Sequence, residues 1–384
     1  MTTIRPQQPP SSLEKPRYIM IGGFLGAGKT TAMAKLAAHF TSQGKRVGLI
    51  TNDQGSNLVD TTWLRSQGFP TEEIPGGCFC CRFNSLVEAV EKLRHERKPD
   101  IFIAEPVGSC TDLVATVAYP LRQLHGSEYI VAPVSVLVDP MRAEQIFGPG
   151  KSGGFSEKVV YIYRKQLEEA DLIVISKADL LEPSQLTQLH GQIAAAFPRT
   201  EILAVSARTG ENLEAWFSRL LGEAQSAKTA MKVDYEIYAD GEAMLGWLNC
   251  TVQLRAGQPF LANAFLPSFA GEVQSRLKAR KAEIAHLKMT LQPGGGGGAI
   301  AVANLVRTDA TTEVSQLLRG TVTDAQLTIN LRAEAAPDVL GTAVREGLAA
   351  AAAAFPRLSA IPDHLEHFRP GKPMPTHRVT DVSA

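Results

Sequence analysis

Residues 23–30 read Gly-Phe-Leu-Gly-Ala-Gly-Lys-Thr and lie between an apolar run, Tyr18–Ile21, and an amphipathic segment, Thr30–Gln43. They form the complete G-x-x-x-x-G-K-[ST] pattern of a phosphate-binding loop, between a strand and a helix as the pattern requires. Glycines let the backbone wrap a phosphate chain with its N–H groups pointing inward, and the helix N-terminus adds a positive dipole. We expect Lys29 to reach the β- and γ-phosphates of a nucleotide and Thr30 to bind Mg²⁺.

Short apolar runs alternate with amphipathic segments as far as about residue 225. Such runs are typical of strands that helices cover on both faces. The predicted strands are Tyr18–Ile21, Val47–Thr51, Ile101–Ala104, Val134–Val138, Leu172–Ile175 and Ile202–Val205. The predicted helices are Thr30–Gln43, Asn84–Glu96, Ser184–Phe197 and Glu211–Gly222. The alternation predicts an α/β P-loop domain with a mostly parallel sheet at residues 17–225, after a disordered lead at residues 1–16.

The pattern changes after a polar segment, Glu223–Lys232, which we interpret as a linker. The predicted elements beyond it are strands at Leu248–Leu254, Ile284–Leu291, Ala299–Leu305 and Ala325–Leu331, and helices at Phe260–Arg280 and Pro337–Phe355. They predict a C-terminal α+β domain at residues 233–370, with its sheet covered on one face, and an extended tail at residues 371–384. The glycine run Gly294–Gly298 is interpreted as a hairpin loop, because no helix that begins with Lys-Ser/Thr follows it.

The composition of the 384 residues excludes several classes of protein. Lysine and arginine number 39, as do aspartate and glutamate, so the formal net charge is zero. A dedicated nucleic-acid binder usually has a basic excess, so we expect no nucleic-acid partner. No run of about 18 apolar residues predicts a membrane span, and the N-terminus lacks the apolar core of a secretory signal. We therefore expect a cytoplasmic protein.

An acidic residue ends the predicted strand at Ile101–Ala104, in the sequence Glu-Pro-Val-Gly at residues 105–108. An acid at this position can hold Mg²⁺ through water or polarise the attacking water, as the Walker-B acid does in other P-loop proteins. The N–H group of Gly108 could then approach the γ-phosphate. The alternative is that Glu105 is only an exposed residue at a strand end.

The sequence Ser-Lys-Ala-Asp at residues 176–179 is similar to the [NST]-K-x-D motif by which GTPases recognise guanine. The carboxylate of Asp179 can accept hydrogen bonds from guanine N1–H and the 2-amino group, a donor pair that adenine lacks. The aliphatic stem of Lys177 can lie along the base. Ser206 and Ala207 fit the loop that closes over guanine. Together these residues favour GTP over ATP.

Three of the five cysteines, Cys78, Cys80 and Cys81, lie within four residues. Thiolates are soft ligands that suit Zn²⁺, Cu(I) or iron, and three of them leave one position of a tetrahedral site open. An open position suits metal transfer better than permanent structural binding. A redox-active Cys80–Cys81 pair and simple core packing are the alternatives. Cys110 and Cys250 are isolated in the sequence, and we interpret them as buried small hydrophobes.

The P-loop, Cys-Phe-Cys-Cys, Glu-Pro-Val-Gly and Ser-Lys-Ala-Asp occur in an order that resembles the CobW-type GTPases, which share a class with the nickel-insertion GTPases HypB and UreG. The resemblance covers about residues 17–225, and the layout is most similar to the cobalamin-synthesis and nitrile-hydratase-activator subgroup. It implies a GTPase metallochaperone that couples its nucleotide state to the delivery of Zn²⁺, Co²⁺ or Fe²⁺ to a client metalloprotein. It is also compatible with a homodimer.

The resemblance implies roles for individual residues. Those that hold the nucleotide are Gly23, Gly26, Ala27, Gly28, Lys29, Thr30, Thr31, Gly108, Ser176, Lys177, Asp179, Ser206 and Ala207. Those that act in catalysis are Lys29, Glu105 and Asp53, and those that bind metals are Thr30 and Glu105 for Mg²⁺ and Cys78, Cys80 and Cys81 for the transition metal. Asp60 matches a later acid of the family. Asp53 stands where many members have Glu, and the His-rich stretch of many members is absent, which argues against high-capacity metal storage.

Three functions follow in order of preference. The first is a metal-delivering GTPase that hydrolyses GTP to GDP and phosphate, with slow intrinsic turnover because no arginine finger is evident. The second is a nucleotide-responsive zinc-binding regulator without metal transfer. The third is a P-loop small-molecule kinase, which the guanine motif disfavours. His364 and His367 would share one face of a helix, but without a third ligand we interpret them as surface residues.

Overall fold

The computed structural model describes residues 15–55, 58–148, 154–225, 230–294 and 298–380. Parts of three predicted segments lie outside these ranges: the lead up to residue 14, residues 226–229 of the linker and residues 381–384 of the tail. The centre of the glycine loop, residues 295–297, also lies outside them. Within the described part of the chain, none of the helices is long and apolar enough to cross a membrane.

A parallel sheet forms the centre of the N-terminal half. Its strands are β1 (Arg17–Gly23), β2 (Val47–Asn52), β3 (Thr71–Ile74), β4 (Ile101–Glu105), β5 (Ile130–Val131), β6 (Ser135–Val138), β7 (Leu172–Ile175) and β8 (Glu201–Ala204). They lie in the order β3-β2-β4-β1-β6-β7-β8, and β5 pairs with the start of β1. The P-loop therefore leaves the carboxyl end of a central strand, which is where open α/β sheets bind ligands.

Helices cover both faces of this sheet. They are α1 (Lys29–Ser42), α2 (Val59–Ser66), α3 (Phe83–Arg97), α4 (Tyr119–His125), α5 (Pro140–Phe147), α6 (Glu157–Glu169), α7 (Pro183–Ala196) and α8 (Leu213–Gly222). Alternate residues of β1 pack into different clusters, since Met20 lies in one hydrophobic core and Ile19 in another. This period of two and the burial of both faces confirm the predicted α/β fold.

The second half contains an antiparallel sheet with helices on one face. Its elements are α9 (Tyr235–Met244), β9 (Leu245–Phe260), α10 (Ala262–Ala279), β10 (Glu283–Pro293), β11 (Ala301–Leu305), β12 (Glu313–Gln316), β13 (Val322–Glu334), α11 (Pro337–Ala353) and β14 (Leu358–Phe368). The strand order is β12-β11-β10-β13-β9-β14, and α10 and α11 pack on each other and on the sheet. The predicted α+β arrangement is confirmed. However, α9, which falls within the range predicted for the C-terminal domain, packs against α6 of the first half.

The other face of the antiparallel sheet lies against the N-terminal half. In β10, Leu287 and Met289 belong to the core beneath the helices, so the alternation of a strand turns His286 and Lys288 the other way. His286 is nevertheless only 6% exposed, because α2 packs against this face. The P-loop also lies against β10, since a Cβ atom at Gly26 would be 3.1 Å from the carbonyl oxygen of Ala285. Polar side chains of the second sheet are thereby buried beside the P-loop edge of the first.

Two segments are placed differently from the sequence expectation. His364 and His367 lie in the strand β14 and not in a helix, and a spacing of three residues in a strand places their side chains on opposite faces. His364 is exposed and His367 is partly exposed, in agreement with their interpretation as surface residues. The start of the predicted linker packs against the first sheet. Gln225 is buried, and its N–H donates to the carbonyl of Val131 in β5.

Candidate functional site

The P-loop depends on glycine at its turns. Gly23, Gly26 and Gly28 have φ angles of 130°, 81° and 87°, which L-residues rarely adopt. A Cβ atom at Gly23 would also lie 2.4 Å from the carbonyl oxygen of Leu137 in β6. The loop then leads into α1, which begins at Lys29, with Thr31 exposed in its first turn.

Lys29 and Glu105 face each other in the interior. Lys29 Nζ lies 3.8 Å from Glu105 Oε1, and both side chains are less than a tenth exposed. Burial lowers the pKa of Lys29, although Glu105 opposes this effect; burial, with repulsion from Asp60, raises the pKa of Glu105. Among the described residues, Glu105 Oε2 is buried without a hydrogen-bond partner. Because such an oxygen is costly to leave unsatisfied, it is a ready ligand for a cation or an ordered water.

A lysine of the second sheet stands where a cation is expected. Thr30 Oγ1 lies 2.9 Å from Asp60 Oδ1 and 3.2 Å from Glu105 Oε1, so the three side chains form a cluster of oxygen atoms. Lys288 Nζ donates to both carboxylate oxygens of Asp60 at 2.8 Å and to Thr30 Oγ1 at 3.3 Å. Burial acts to lower the pKa of Lys288, but the Asp60 carboxylate outweighs it and the pKa is raised. The ammonium group thus occupies the oxygen cluster that suits Mg²⁺.

The Ser-Lys-Ala-Asp segment is tied to the P-loop. Ser176 Oγ donates to the carbonyl of Ala27 at 2.8 Å, and Lys177 Nζ donates to the carbonyl of Gly26 at 2.9 Å. Lys177 also pairs with Asp139 at 2.7 Å; burial opposes ionisation of Asp139, but the ammonium group outweighs it and lowers the pKa. A lysine held over the P-loop in this way has its stem along the edge where a base would lie.

Asp179 and Ser206, which the sequence predicts to bind the base, contact each other. Ser206 Oγ donates to Asp179 Oδ1 at 2.6 Å, and the N–H of Ala178 donates to the carbonyl of Val205 at 3.0 Å. These bonds join the loops that follow β7 and β8, and Ala207 comes directly after Ser206 in the second of them. The other oxygen of Asp179 faces Arg208 at 3.4 Å, near the surface.

Asp53 contacts the second sheet. Its Oδ1 accepts a hydrogen bond from Arg332 Nη2 at 2.8 Å and another from the N–H of Gly55 at 2.9 Å. Arg332 is completely buried, and its guanidinium lies 4.0 Å from the ring centroid of Trp247. The ion pair therefore anchors the segment after β2 to β13, and a catalytic role for Asp53 stays a prediction.

The three clustered thiols converge. The Sγ–Sγ distances are 2.8 Å for Cys78 and Cys80, 3.3 Å for Cys78 and Cys81, and 3.8 Å for Cys80 and Cys81. A tight turn brings Cys81 round, because its N–H donates to the carbonyl of Cys78. Hydrogen bonds from Cys110 and the two neighbouring thiols lower the pKa of Cys78 well below its usual value, so this sulfur is the most readily ionised of the three.

Asn52, at the end of β2, holds the cysteine loop. Its side-chain amide donates to the carbonyls of Ile74 at 2.8 Å and Gly77 at 2.6 Å, and its oxygen accepts from the N–H of Phe79 at 2.9 Å. Because Asn52 directly precedes Asp53, the same short segment contacts the thiol cluster and the second sheet.

Residues 374–379 lie across the thiol cluster, and we call them the tail strap. The N–H of Met374 donates to Cys81 Sγ at 3.2 Å, and the N–H of Thr376 donates to the carbonyl of Cys80 at 2.8 Å. Arg378 Nε forms an ion pair with buried Asp112 at 2.7 Å. The strap thus covers the side of the cluster on which Cys81 is half-buried.

Cys110 is buried as predicted, but it is not isolated. Its thiol influences the pKa values of both Cys78 and Cys80, and burial raises its own pKa well above the usual value. Cys250, in contrast, lies in the core of the second sheet, as its interpretation as a buried hydrophobe requires.

Sequence reasoning missed Lys288, Arg332 and Asp139 as parts of this site. Asp139 could have been found, since it follows the apolar end of a strand in the same parallel sheet. Lys288 and Arg332 carry no comparable signal, because each is one polar residue in the ordinary alternation of an antiparallel strand.

The sequence was compared with protein-family models and with curated proteins. Residues 17–204 match the family described as CobW/HypB/UreG, nucleotide-binding domain. The zinc chaperone CobW of Sinorhizobium sp is 28% identical over 235 residues, which cover 55% of this chain and 63% of that protein. The zinc chaperone YeiR of Escherichia coli is 31% identical over 175 residues, which cover 44% of this chain and 48% of that protein. The matches therefore span less than two thirds of either relative.

Among solved structures, HypB from Helicobacter pylori in complex with nickel is 22% identical. The alignment covers 54% of this chain and 86% of that chain, with a TM-score of 0.40. A TM-score this low supports no conclusion about this chain. The family match and the curated relatives, together with the P-loop and the parallel sheet, identify residues 17–204 as a nucleotide-binding domain of the CobW/HypB/UreG family.

Proposed function

We propose that the protein is a GTPase that carries a transition metal and couples its release to GTP hydrolysis. One observation carries this proposal: the three thiols within 3.8 Å of one another lie at the carboxyl edge of the sheet from which the P-loop emerges. Asn52 at the end of β2 connects this edge to the cysteine loop through three hydrogen bonds. A change in nucleotide state can therefore reach the metal-binding atoms through Asn52.

The residues beside the P-loop fit a magnesium ion. Thr30, Asp60 and Glu105 offer hydroxyl and carboxylate oxygens, which Mg²⁺ prefers, and the buried Glu105 Oε2 accepts no hydrogen bond from the part of the chain that the structure describes. A bound Mg²⁺ would neutralise charge on the β- and γ-phosphates. Lys288 would have to leave Asp60 for the ion to bind there.

Hydrolysis of GTP to GDP and phosphate requires charge stabilisation and an oriented water. Lys29 and the inward N–H groups of the P-loop stabilise the charge that develops on the phosphates. Glu105, whose pKa is raised by burial, orients the attacking water by accepting a hydrogen bond from it. Gly108 lies beside Lys29, since a Cβ atom there would be 3.0 Å from Lys29 Nζ, so its backbone is close to the γ-phosphate position. Asp179 accepts from guanine, which favours GTP.

The cargo is a soft or borderline ion, of which Zn²⁺ and Co²⁺ are the primary candidates and Fe²⁺ a further one. The thiols must lose protons to bind it, so affinity should rise with pH. The curated relatives CobW and YeiR are described as zinc chaperones, which agrees with this choice. Delivery to a client metalloprotein is the step that distinguishes a carrier from a zinc-responsive regulator.

The test is the Zn²⁺ and Co²⁺ affinity by chelator competition, measured with a non-hydrolysable GTP analogue and with GDP. We expect tight binding that differs between the two nucleotides and is lost when Cys78, Cys80 and Cys81 are replaced by serine. Cys250→Ser is the matched control, because this cysteine lies in the other core. Equal affinity in both nucleotide states would refute the coupling, and binding that survives the triple substitution would refute the site.

A second measurement separates the carrier from the alternatives. Zinc-loaded protein is mixed with GTP and a fluorescent chelator, and zinc release is compared with phosphate release. A carrier releases the zinc ion as GTP is hydrolysed, whereas a regulator hydrolyses GTP and keeps the zinc ion bound. Repeating the experiment with ATP tests the third alternative, because we expect a preference for GTP over ATP from the carrier and not from a small-molecule kinase.

A further inference from the structure

The tail strap is bonded to the side of the thiol cluster that is open to solvent. Cys78 and Cys80 are buried, whereas Cys81 is half-buried. The N–H of Met374 donates to Cys81 Sγ at 3.2 Å, and Thr376 donates through its N–H to the carbonyl of Cys80 at 2.8 Å and through Oγ1 to that of Cys81 at 3.2 Å. An ion that enters or leaves on the side of Cys81 therefore has to pass the strap.

The other end of the strap is attached to the segment that follows β4. Arg378 Nε forms its ion pair with Asp112 at 2.7 Å, and the N–H of Val379 donates to the carbonyl of Ala115 at 2.8 Å. We call the Arg378–Asp112 pair the latch. Asp112 has a φ angle of 64°, which residues other than glycine rarely adopt, so the latch is made at an unusual turn of this segment.

The segment that bears the latch begins beside the P-loop. A Cβ atom at Gly108 would be 3.0 Å from Lys29 Nζ, so the backbone four residues before Asp112 lies close to the expected γ-phosphate. The side-chain amide of Gln166 donates to the carbonyls of Gly108 at 2.9 Å and Cys110 at 2.8 Å, which holds these residues together. A shift of Gly108 is therefore passed on to Asp112 through a short segment that is held in place.

We propose that the tail strap is a lid on the metal site and that the nucleotide controls it through the latch. The proposal rests on the metal-carrier function above and deepens it by naming the part that moves. With GTP bound, Gly108 is held at the γ-phosphate and the latch keeps the strap over Cys81. After hydrolysis the segment is released, the strap lifts, and the Cys81 sulfur loses the N–H of Met374 that helps to hold it in place as a ligand.

The contacts of the strap allow it to open. The side chain of Arg378 is 32% exposed, so water can solvate the guanidinium when it leaves Asp112. The buried Asp112 carboxylate is not left alone, because Tyr235 Oη donates to its Oδ2 at 2.7 Å. Met374 and Thr376 are exposed, so water can also replace the bonds that they make to the cysteine loop. Opening therefore exposes few groups that cannot find another partner.

The test breaks the latch and measures how fast zinc leaves. Zinc-loaded wild type and Arg378→Gln are mixed with excess fluorescent chelator, with GDP or with a non-hydrolysable GTP analogue. In the wild type we expect faster release with GDP; in Arg378→Gln we expect release with the analogue to be about tenfold faster than in wild type and close to its own rate with GDP. Arg369→Gln is the matched control, because Arg369 is an exposed tail residue that bonds to the carbonyl of Ala243.

A second readout needs no metal. The rate at which iodoacetamide alkylates Cys81 in zinc-free protein, followed by mass spectrometry, should rise in Arg378→Gln and stay at the wild-type value in Arg369→Gln. Thr376→Val, which removes the hydroxyl bond to the carbonyl of Cys81, should change both rates in the same direction by a smaller factor. This exposed substitution carries the test if Arg378→Gln fails to fold.

The outcomes separate the lid from the metal carrier. Zinc bound by the three thiols, with release and alkylation unchanged in both strap variants, would overturn the lid and leave the carrier intact. Release that is faster by the same factor with both nucleotides would overturn control through the latch. A wild type that binds no zinc at these thiols would refute the carrier and, with it, the gating of a metal.

Discussion

Replacement of Lys288 by methionine should strengthen Mg²⁺ binding to the nucleotide-loaded protein. In the structure the Lys288 ammonium donates to both oxygens of Asp60 and to Thr30, the same atoms that we propose for Mg²⁺. Methionine keeps much of the apolar stem but has no charge to compete for these oxygens. The wild-type protein must break this contact before the ion can bind, whereas the variant need not.

The size of the effect follows from the contact. Hydrogen bonds to charged groups contribute about 1.5–3 kcal/mol, and each 1.4 kcal/mol is roughly a tenfold change in affinity. The side chains of Lys288 and Asp60 are 17% and 22% exposed, so water screens the pair in part and the lower end applies. We expect the Mg²⁺ concentration for half-saturation to fall about tenfold. Without Mg²⁺ the variant should be less stable than wild type, because Asp60 then lacks its partner.

The assay is a titration of Mg²⁺ into protein with a fluorescent GTP analogue, paired with thermal unfolding at zero and saturating Mg²⁺. Lys278→Met is the matched control, since Lys278 is exposed at the end of α10. A half-saturation point equal to that of wild type, with an unchanged gain of melting temperature on adding Mg²⁺, would refute competition between Lys288 and the ion.

Three further changes test other parts of the site. Asn52→Ala removes the bonds that hold the cysteine loop, so zinc affinity in chelator competition should fall about tenfold; an unchanged value would mean that the loop holds its shape alone. Asp179→Ala should weaken GTP binding about tenfold or more and leave ATP binding unchanged in nucleotide titrations, and a constant ratio of the two would exclude Asp179 from base recognition. Burial raises the pKa of Glu242 well above its ordinary value of 4.5, so the native state prefers the protonated form, and the wild type loses stability as the pH rises above about that value. Glu242→Gln cannot ionise, so the metal-free variant should melt at a higher temperature than wild type at pH 8 and at a similar one at pH 4.5; equal curves at both pH values would contradict a buried, protonated Glu242.

The parallel-sheet fold and the nucleotide edge could be predicted because their signals are local. The P-loop needs its glycines, Lys29 and Thr30 in consecutive positions, and the apolar runs mark strands buried on both faces. The pairing of Asp179 with Ser206 was predictable too, since both follow strands that are neighbours in such a sheet.

The contributions of the second sheet were not predictable. Lys288 and Arg332 reach Asp60 and Asp53 only because an antiparallel sheet presents one polar face to the first domain, and that docking depends on contacts far apart in sequence. The short elements α2 and β3 were missed because half-buried runs of eight and four residues give weak periodicity.

The tail strap is made long after the cysteines that it covers when the chain is translated. Thr376, which bonds to the backbone of Cys81, follows it by 295 residues. At about 5–20 residues per second, a ribosome needs roughly 15–60 s to make the intervening chain. Throughout that interval the nascent cysteines have no strap to cover them, and they are open to cellular zinc and to oxidants. If the protein carries a metal as we propose, the unfinished chain can therefore acquire the first ion, and completion of the polypeptide closes the site over it.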